Sequence, residues 1–311
     1  MKSAFLFVTF NEPKIWVKEA IESMLSQTVI PFEIVQIDNS PQGNYNFSNE
    51  FEFGRINYIY IKPEKKLSFT QALNLGIKTS KSEIIFRADP DDICCTERIG
   101  TTLNLFRKKP QSTLIASRAF IINEAKDILG TTRKYENITI NLLLKGNPIV
   151  HGTIAFKREK ILLLGGYNNR FERTQDYELY THLLLNGEQI LFLNKTLYYL
   201  RIHRSSVSSK YSTNSDQARN SLLIKKYIQD NLLNTKVKQE RISRSEIVVL
   251  SQNDFANKLR RKSYRNYIFA LAVNSNPLGI LKSLNIRYFL IWIRGIIISL
   301  NPKVLYKFFF N

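Results

Sequence analysis

The chain has 311 residues, 45 of them Lys or Arg and 26 Asp or Glu, for a net charge of +19 at pH 7. With 44% apolar and 23% charged residues it has a globular composition, which excludes wholesale disorder, a collagen repeat and a multi-spanning membrane protein. The two cysteines, Cys94 and Cys95, are adjacent, a spacing that strains a mutual bridge, so a disulfide scaffold is excluded and a reducing compartment is expected.

Residues 4–10 form an apolar run that Asn11, Glu12 and Pro13 cut short without a small-residue cleavage site. It is taken as a first buried strand, not a secretory signal. Residues 14–27 show helical spacing through Trp16, Ala20, Ile21, Met24 and Leu25, and strands follow at 32–37 and 57–61. A helix over 70–78 leads to a strand at 83–87, which stops at Asp89-Pro90-Asp91-Asp92. A helix over 96–108 ends before Pro110. Further strands are predicted near 114–122, 152–156 and 191–200, with a helix near 176–186. Strand–helix alternation of this kind predicts an α/β fold, a mostly parallel sheet with helices on both faces. Such sheets bind ligands beyond the carboxyl ends of their strands. That directs attention to Asn11-Glu12, Asp38-Asn39-Ser40 and Asp89 to Asp92.

Charge is uneven along the chain. Residues 1–209 carry a net +6, whereas residues 210–311 carry 18 basic and 5 acidic side chains, a net +13. The pattern divides the chain into a body, 1–210, and a basic helical region, 211–311. No uncharged run reaches the roughly 18–20 residues that span a bilayer.

Three carboxylates within Asp89-Pro90-Asp91-Asp92 repel one another unless a cation sits among them. Oxygen donors of this kind suit Mg²⁺ or Mn²⁺, completed by substrate phosphates; the alternative is a solvated acidic turn capping the next helix. Asp38 ends a strand where a carboxylate can accept from a nucleobase or ribose, or simply form a turn. Asp176 and Glu178 begin an amphipathic helix and face different directions. Arg201 and His203, at the end of the last strand, offer a phosphate ligand and a metal ligand respectively.

Taken in order, these segments resemble family 2 glycosyltransferases. The resemblance is carried by Val8-Thr9-Phe10-Asn11-Glu12, Ile37-Asp38-Asn39-Ser40, Ala72-Leu73-Asn74-Leu75-Gly76-Ile77 and Arg87-Ala88-Asp89-Pro90-Asp91-Asp92. It continues through Asn147-Pro148-Ile149-Val150-His151, Gly165-Gly166-Tyr167, Gln175-Asp176-Tyr177-Glu178-Leu179 and Arg201-Ile202-His203, so that it covers about residues 3–208. It implies a GT-A fold, Rossmann-like, and an inverting, metal-dependent hexosyltransferase using a nucleotide-sugar donor, usually a UDP-sugar. Enzymes of this kind build bacterial capsule, exopolysaccharide and lipopolysaccharide chains. By position, Asp38 and Thr9 would line the nucleotide pocket. Asp89 and Asp91 would handle ribose and metal, Asp92 stands adjacent with its share of the work open, and His203 would complete the metal and diphosphate site. Asp176 matches the catalytic base. Gln175 replaces the usual Glu before that base, and Asn39 replaces a second Asp after Asp38.

The basic region adds an expectation of its own. Residues 284–300 place Trp292 and Tyr288 on a wide apolar face with Arg287 and Arg294 on a narrow polar one, which suits a helix lying in a membrane interface. Lys258, Arg260, Arg261, Lys262 and Arg265 could touch anionic lipid. The expected setting is therefore cytoplasmic, peripheral on the inner face of the membrane, with a glycan or glycolipid acceptor. Two alternatives are weaker. A sugar-phosphate nucleotidyltransferase would show a glycine-rich loop after the first strand, where this chain has Thr9-Phe10-Asn11-Glu12-Pro13. A nucleic-acid-binding protein would carry a recognition motif, and none is present.

Overall fold

The computed structural model describes residues 1–43, 45–203 and 211–233. The chain divides into two units, Met1–Arg201 and Ile202–Asn311. The first unit runs β1 (Ser3–Thr9), α1 (Lys14–Leu25), β2 (Glu33–Asp38), β3 (Asn57–Ile61), α2 (Phe69–Thr79), β4 (Ile84–Arg87), β5 (Ile93–Cys94) and α3 (Arg98–Lys108). It continues with β6 (Ser112–Ile122), β7 (Ile128–Thr131), α4 (Ile140–Lys145), β8 (Ala155–Lys157), α5 (Arg158–Leu163), α6 (Gln175–Leu185) and β9 (Gln189–Arg201). The described part of the second unit contains α7 (Tyr211–Leu233). The segments 258–265 and 284–300 lie outside the described residues.

One sheet organises the first unit, in the order β3-β2-β1-β4-β8-β6-β9-β5, with β7 paired to β6. The pairs from β3 to β4 are parallel, as is β6 with β9. Every residue of β1 and β2 is buried, as expected for strands covered on both faces. Register aligns Thr9 with Asp38 and Leu6 with Arg87, so the carboxyl ends of three neighbouring strands open onto a common edge.

Glu33 and Asn39 show how polar side chains at the sheet are used. Glu33 has no exposed surface and accepts from Ser80 Oγ at 2.8 Å, Ser82 Oγ at 2.9 Å and the Lys81 amide, which ties the end of α2 to the start of β4. Helix α2 starts with a reciprocal cap, in which Ser68 accepts from the Gln71 amide and the Gln71 side chain accepts from the Ser68 amide. The Asn39 amide donates to the Leu67 carbonyl at 2.8 Å and accepts from the Leu67 amide at 3.0 Å. An aspartate could not supply that donor, which gives the departure at position 39 a structural reason.

The predicted strand over 152–156 is a 3₁₀ turn, His151–Thr153, followed by β8. Gly152 packs so closely on Tyr198 of β9 that a Cβ there would lie 2.4 Å from the Tyr198 hydroxyl. Gly152→Ala should therefore cost about 1–3 kcal/mol of stability through overpacking, read as a lower urea midpoint at unchanged slope.

Candidate active site

The edge formed by the ends of β1, β2 and β4 gathers the charged residues. Arg87, the last residue of β4, has no exposed surface, and its Nη2 donates to Asp89 Oδ1 at 2.5 Å. The Phe69 ring lies 5.5 Å from the same guanidinium. The Asp89 amide in turn donates to the Tyr198 hydroxyl at 2.8 Å. Beneath this turn, Arg98 is 1% exposed and donates to the carbonyls of Arg87, Gly152 and Ile154. Its guanidinium is wrapped by Phe5, Phe86 and Tyr198. Two buried cations thus underlie an acidic loop.

The acids above them crowd one another. Burial pushes Asp89 up from the usual carboxylate range; Arg87 opposes that and Asp91 reinforces it. Asp92 is pushed well up by burial, then by Asp91 and Asp89. Glu12 is also raised by burial, with Asp91 and Asp89 adding to it; its Oε2 accepts from the Phe10 amide at 2.7 Å. Asp92 Oδ1 accepts from the Arg201 amide at 2.7 Å, while its Oδ2 is buried with no hydrogen-bond partner. The loop gathers three carboxylates that raise one another's proton affinity, and their oxygens are hard donors. That chemistry fits Mg²⁺ or Mn²⁺, which take one or two carboxylates and fill the rest of the shell from phosphate and water. Among the described residues no three His, Cys, Asp or Glu side chains group to hold a metal by themselves. Asp89, Asp91 and Asp92 share one loop, whereas His203 is buried and belongs to the second unit.

Arg201 is tied into the acidic loop by its own hydrogen bonds. Its guanidinium is buried and donates to the Asp91 carbonyl at 2.8 Å, the Glu124 carbonyl at 3.1 Å and Glu19 Oε2 at 2.5 Å, with Trp16 5.2 Å away. It braces the acidic loop against α1. Thr9 and Asp38 are likewise fully buried. Thr9 Oγ1 accepts from Gln36 Nε2 at 3.1 Å. Asp38 accepts from the Ser40 amide at 2.9 Å and the Tyr60 hydroxyl at 2.6 Å, so it folds the loop that follows β2. Beside this edge Lys66 stands over the Phe10 ring at 5.1 Å.

Asp176 lies in the first turn of α6 and is partly exposed. Burial raises its carboxyl to about 6, against the lowering pull of the Tyr177 amide and Asn147, while Asp89 pushes the same way as burial. Asn147 Nδ2 donates to Asp176 Oδ2 at 2.7 Å. Glu178 is buried and accepts from Asn168 at 3.2 Å; of the two acids, Asp176 is the one that meets solvent. The loop before α6 hangs on α2. Asn74 accepts from the Tyr167 amide and donates to its carbonyl, both at 2.8 Å, and Thr70 donates to the Phe171 carbonyl at 2.9 Å. Gly166 sits at φ +70°, with Asn74 where a Cβ would go. His151 joins the Tyr167 hydroxyl at 2.8 Å, and burial, helped by Arg87, keeps its ring neutral.

Arg87, Asn74 and Asn147 are site residues that the sequence reading does not mark. Arg87 and Asp89 stand two apart on extended chain and so share a face, a signal for their pairing that the sequence does contain.

Residues 5–163 match the profile described as Glycosyl transferase family 2. The chain belongs to this family and is a glycosyltransferase. It is 26% identical over 188 residues to the UDP-Gal:alpha-D-GlcNAc-diphosphoundecaprenol beta-1,3-galactosyltransferase of Escherichia coli, a match covering 60% of this chain and 68% of that one. It is 24% identical over 199 residues to the amylovoran biosynthesis glycosyltransferase AmsE of Erwinia amylovora, covering 63% and 74%. In fold it resembles residues 1–349 of S. aureus TarS in complex with UDP, with a TM-score of 0.57, 15% identity and coverage of 90% of this chain and 82% of that one. Against the longer TarS chain it spans 50% of the length. The mixed α/β sheet is thus of the GT-A type.

Arg87→Met should cost about 3–5 kcal/mol near neutral pH, since it leaves Asp89 part-buried without its counter-charge. The folded variant then holds the Asp89 proton to higher pH. The deficit in thermal stability should shrink as pH falls and Asp89 becomes neutral in both proteins. A deficit independent of pH would show that Arg87 acts through packing alone.

Proposed function

We propose that the chain transfers a sugar, with inversion, from a UDP-sugar to a hydroxyl of a lipid-linked bacterial surface glycan. The observation that carries the reading is the pairing, in one unit, of an acidic loop at the strand ends with a part-exposed carboxylate, Asp176, held near neutrality. Membership of the family supports the reaction class. The donor and acceptor named for the E. coli relative support UDP and a lipid diphosphate carrier.

Asp89 and Asp91 would hold a divalent cation, Mg²⁺ or Mn²⁺, whose chemistry is to neutralise charge on the departing diphosphate. Arg87 opposes the rise that burial gives the Asp89 carboxyl and fixes its direction. The nucleoside end of the donor would lie along the β1 and β2 ends, beside Phe10 and Lys66. Asp176, with a carboxyl near 6, is ionised at cellular pH and basic enough to take the proton of an acceptor hydroxyl as it attacks. Attack from the side opposite the leaving group inverts the anomeric carbon. The division into a catalytic body, 1–210, and a membrane-associating region, 211–311, is part of the same proposal. It is supported by the +13 charge of residues 210–311.

UDP-sugar turnover should rise with pH through about 6 and level off above it, because the base works only when deprotonated. Asp176→Asn should lower turnover on the order of 10²–10⁴-fold while calorimetry finds UDP affinity unchanged. Near-normal turnover in that variant would pass the role to another group.

A further inference from the structure

The connection between α4 and the 3₁₀ turn at His151 contains a side chain that the proposed chemistry has not yet used. Gly146, at φ +150°, closes α4, and Pro148 biases the residue before it toward extended backbone. Asn147 is delivered between them with its side chain exposed. Its Oδ1 accepts from the Ile149 amide at 3.1 Å, which fixes which way the amide points. Its Nδ2 therefore faces Asp176 Oδ2, at 2.7 Å. The two supports are held in register, because the Tyr177 hydroxyl on α6 donates to the Leu143 carbonyl on α4.

We propose that Asn147 is a positioning residue for proton transfer, holding the Asp176 carboxylate in one orientation toward the acceptor side. The inference rests on the reading of Asp176 as the base. A carboxylate in the first turn of a helix can rotate about its side-chain bonds, and each misplacement of about 1 Å at a reacting group costs up to about 10²-fold in rate. One charge-assisted hydrogen bond from an anchored amide removes that freedom. The same bond favours the ionised form, so Asn147 links the orientation of the base to its proton affinity. Asparagine suits the place because it accepts on one side and donates on the other, which neither Asp nor Ala does.

The test uses the full chain and whichever of UDP-glucose, UDP-galactose or UDP-N-acetylglucosamine it hydrolyses, with pH–rate profiles for wild type, Asn147→Ala and the isosteric Asn147→Asp. UDP affinity is measured by calorimetry on each protein. The expected result is a loss of turnover of roughly 10- to 100-fold in both variants, with UDP affinity retained. The acid limb should move to higher pH in Asn147→Ala and further in Asn147→Asp, where two carboxylates face each other. Turnover and limb like those of wild type, alongside an inactive Asp176→Asn, would overturn the positioning role and leave the base in place. Parallel loss of UDP affinity in both variants would mark Asn147 as structural and overturn it too. An active Asp176→Asn would instead remove the base reading on which the inference stands.

Discussion

A buried guanidinium at the end of a strand sets the terms for the rest of this site. Arg87 has no exposed surface, and a cation in that position must be paired or it destabilises the fold. Asp89 supplies the pair, which holds one acid of the loop against a fixed point of the sheet. Arg98 secures the carbonyl of Arg87 from below, and Tyr198 accepts from the Asp89 amide. The loop after β4 is thus anchored by charge and hydrogen bonds, and its remaining acids cannot relax away from one another. Their proton affinities rise because burial and mutual repulsion act together. A cation on this loop would relieve energy that the fold has already invested in holding the acids together.

The other half of the site depends on α2, which acts as a brace without itself supplying a reactive group. Asn74 and Thr70 fasten the segment from Tyr167 to Phe171, and that segment leads directly into α6 and Asp176. Gly166 is needed where the backbone adopts φ +70° against Asn74. The acidic loop and the base therefore hang from the parallel half of the same sheet, one by β4 and one through α2. Proton affinity couples them too, since Asp89 helps to raise Asp176.

Much of this was legible in the sequence. Period and length marked β1, β2, β4, α1 and α2, and strand alternation pointed to the edge where Asp38 and Asp89 sit. Resemblance in motif order supplied the family. What stayed hidden depends on contacts distant in sequence. The carboxylate partner of Arg201 is Glu19, 182 positions earlier, a contact no local pattern marks. Asp38 was open between a nucleobase ligand and a turn former, and the partner the sequence could not show is Tyr60, 22 positions on. Asn39 looked like a lost acid, but it is a donor–acceptor clamp on Leu67. Short strands such as β5 and β7 escaped because so few residues carry no period, and the turn in place of the first half of the predicted strand at 152–156 packs against Tyr198 on another strand.

The central claim is that the loop from Asp89 to Asp92 receives the donor diphosphate while Asp176 stands open to the acceptor. A crystal structure of the full chain with UDP and Mn²⁺ tests it most directly. The account predicts the diphosphate beside Asp89 and Asp91, the cation touching at least one of their carboxylate oxygens, and the Arg87–Asp89 pair intact. UDP bound elsewhere, for instance in the cavity lined by Glu22, Cys95 and Tyr199, with the acidic loop empty, would contradict it.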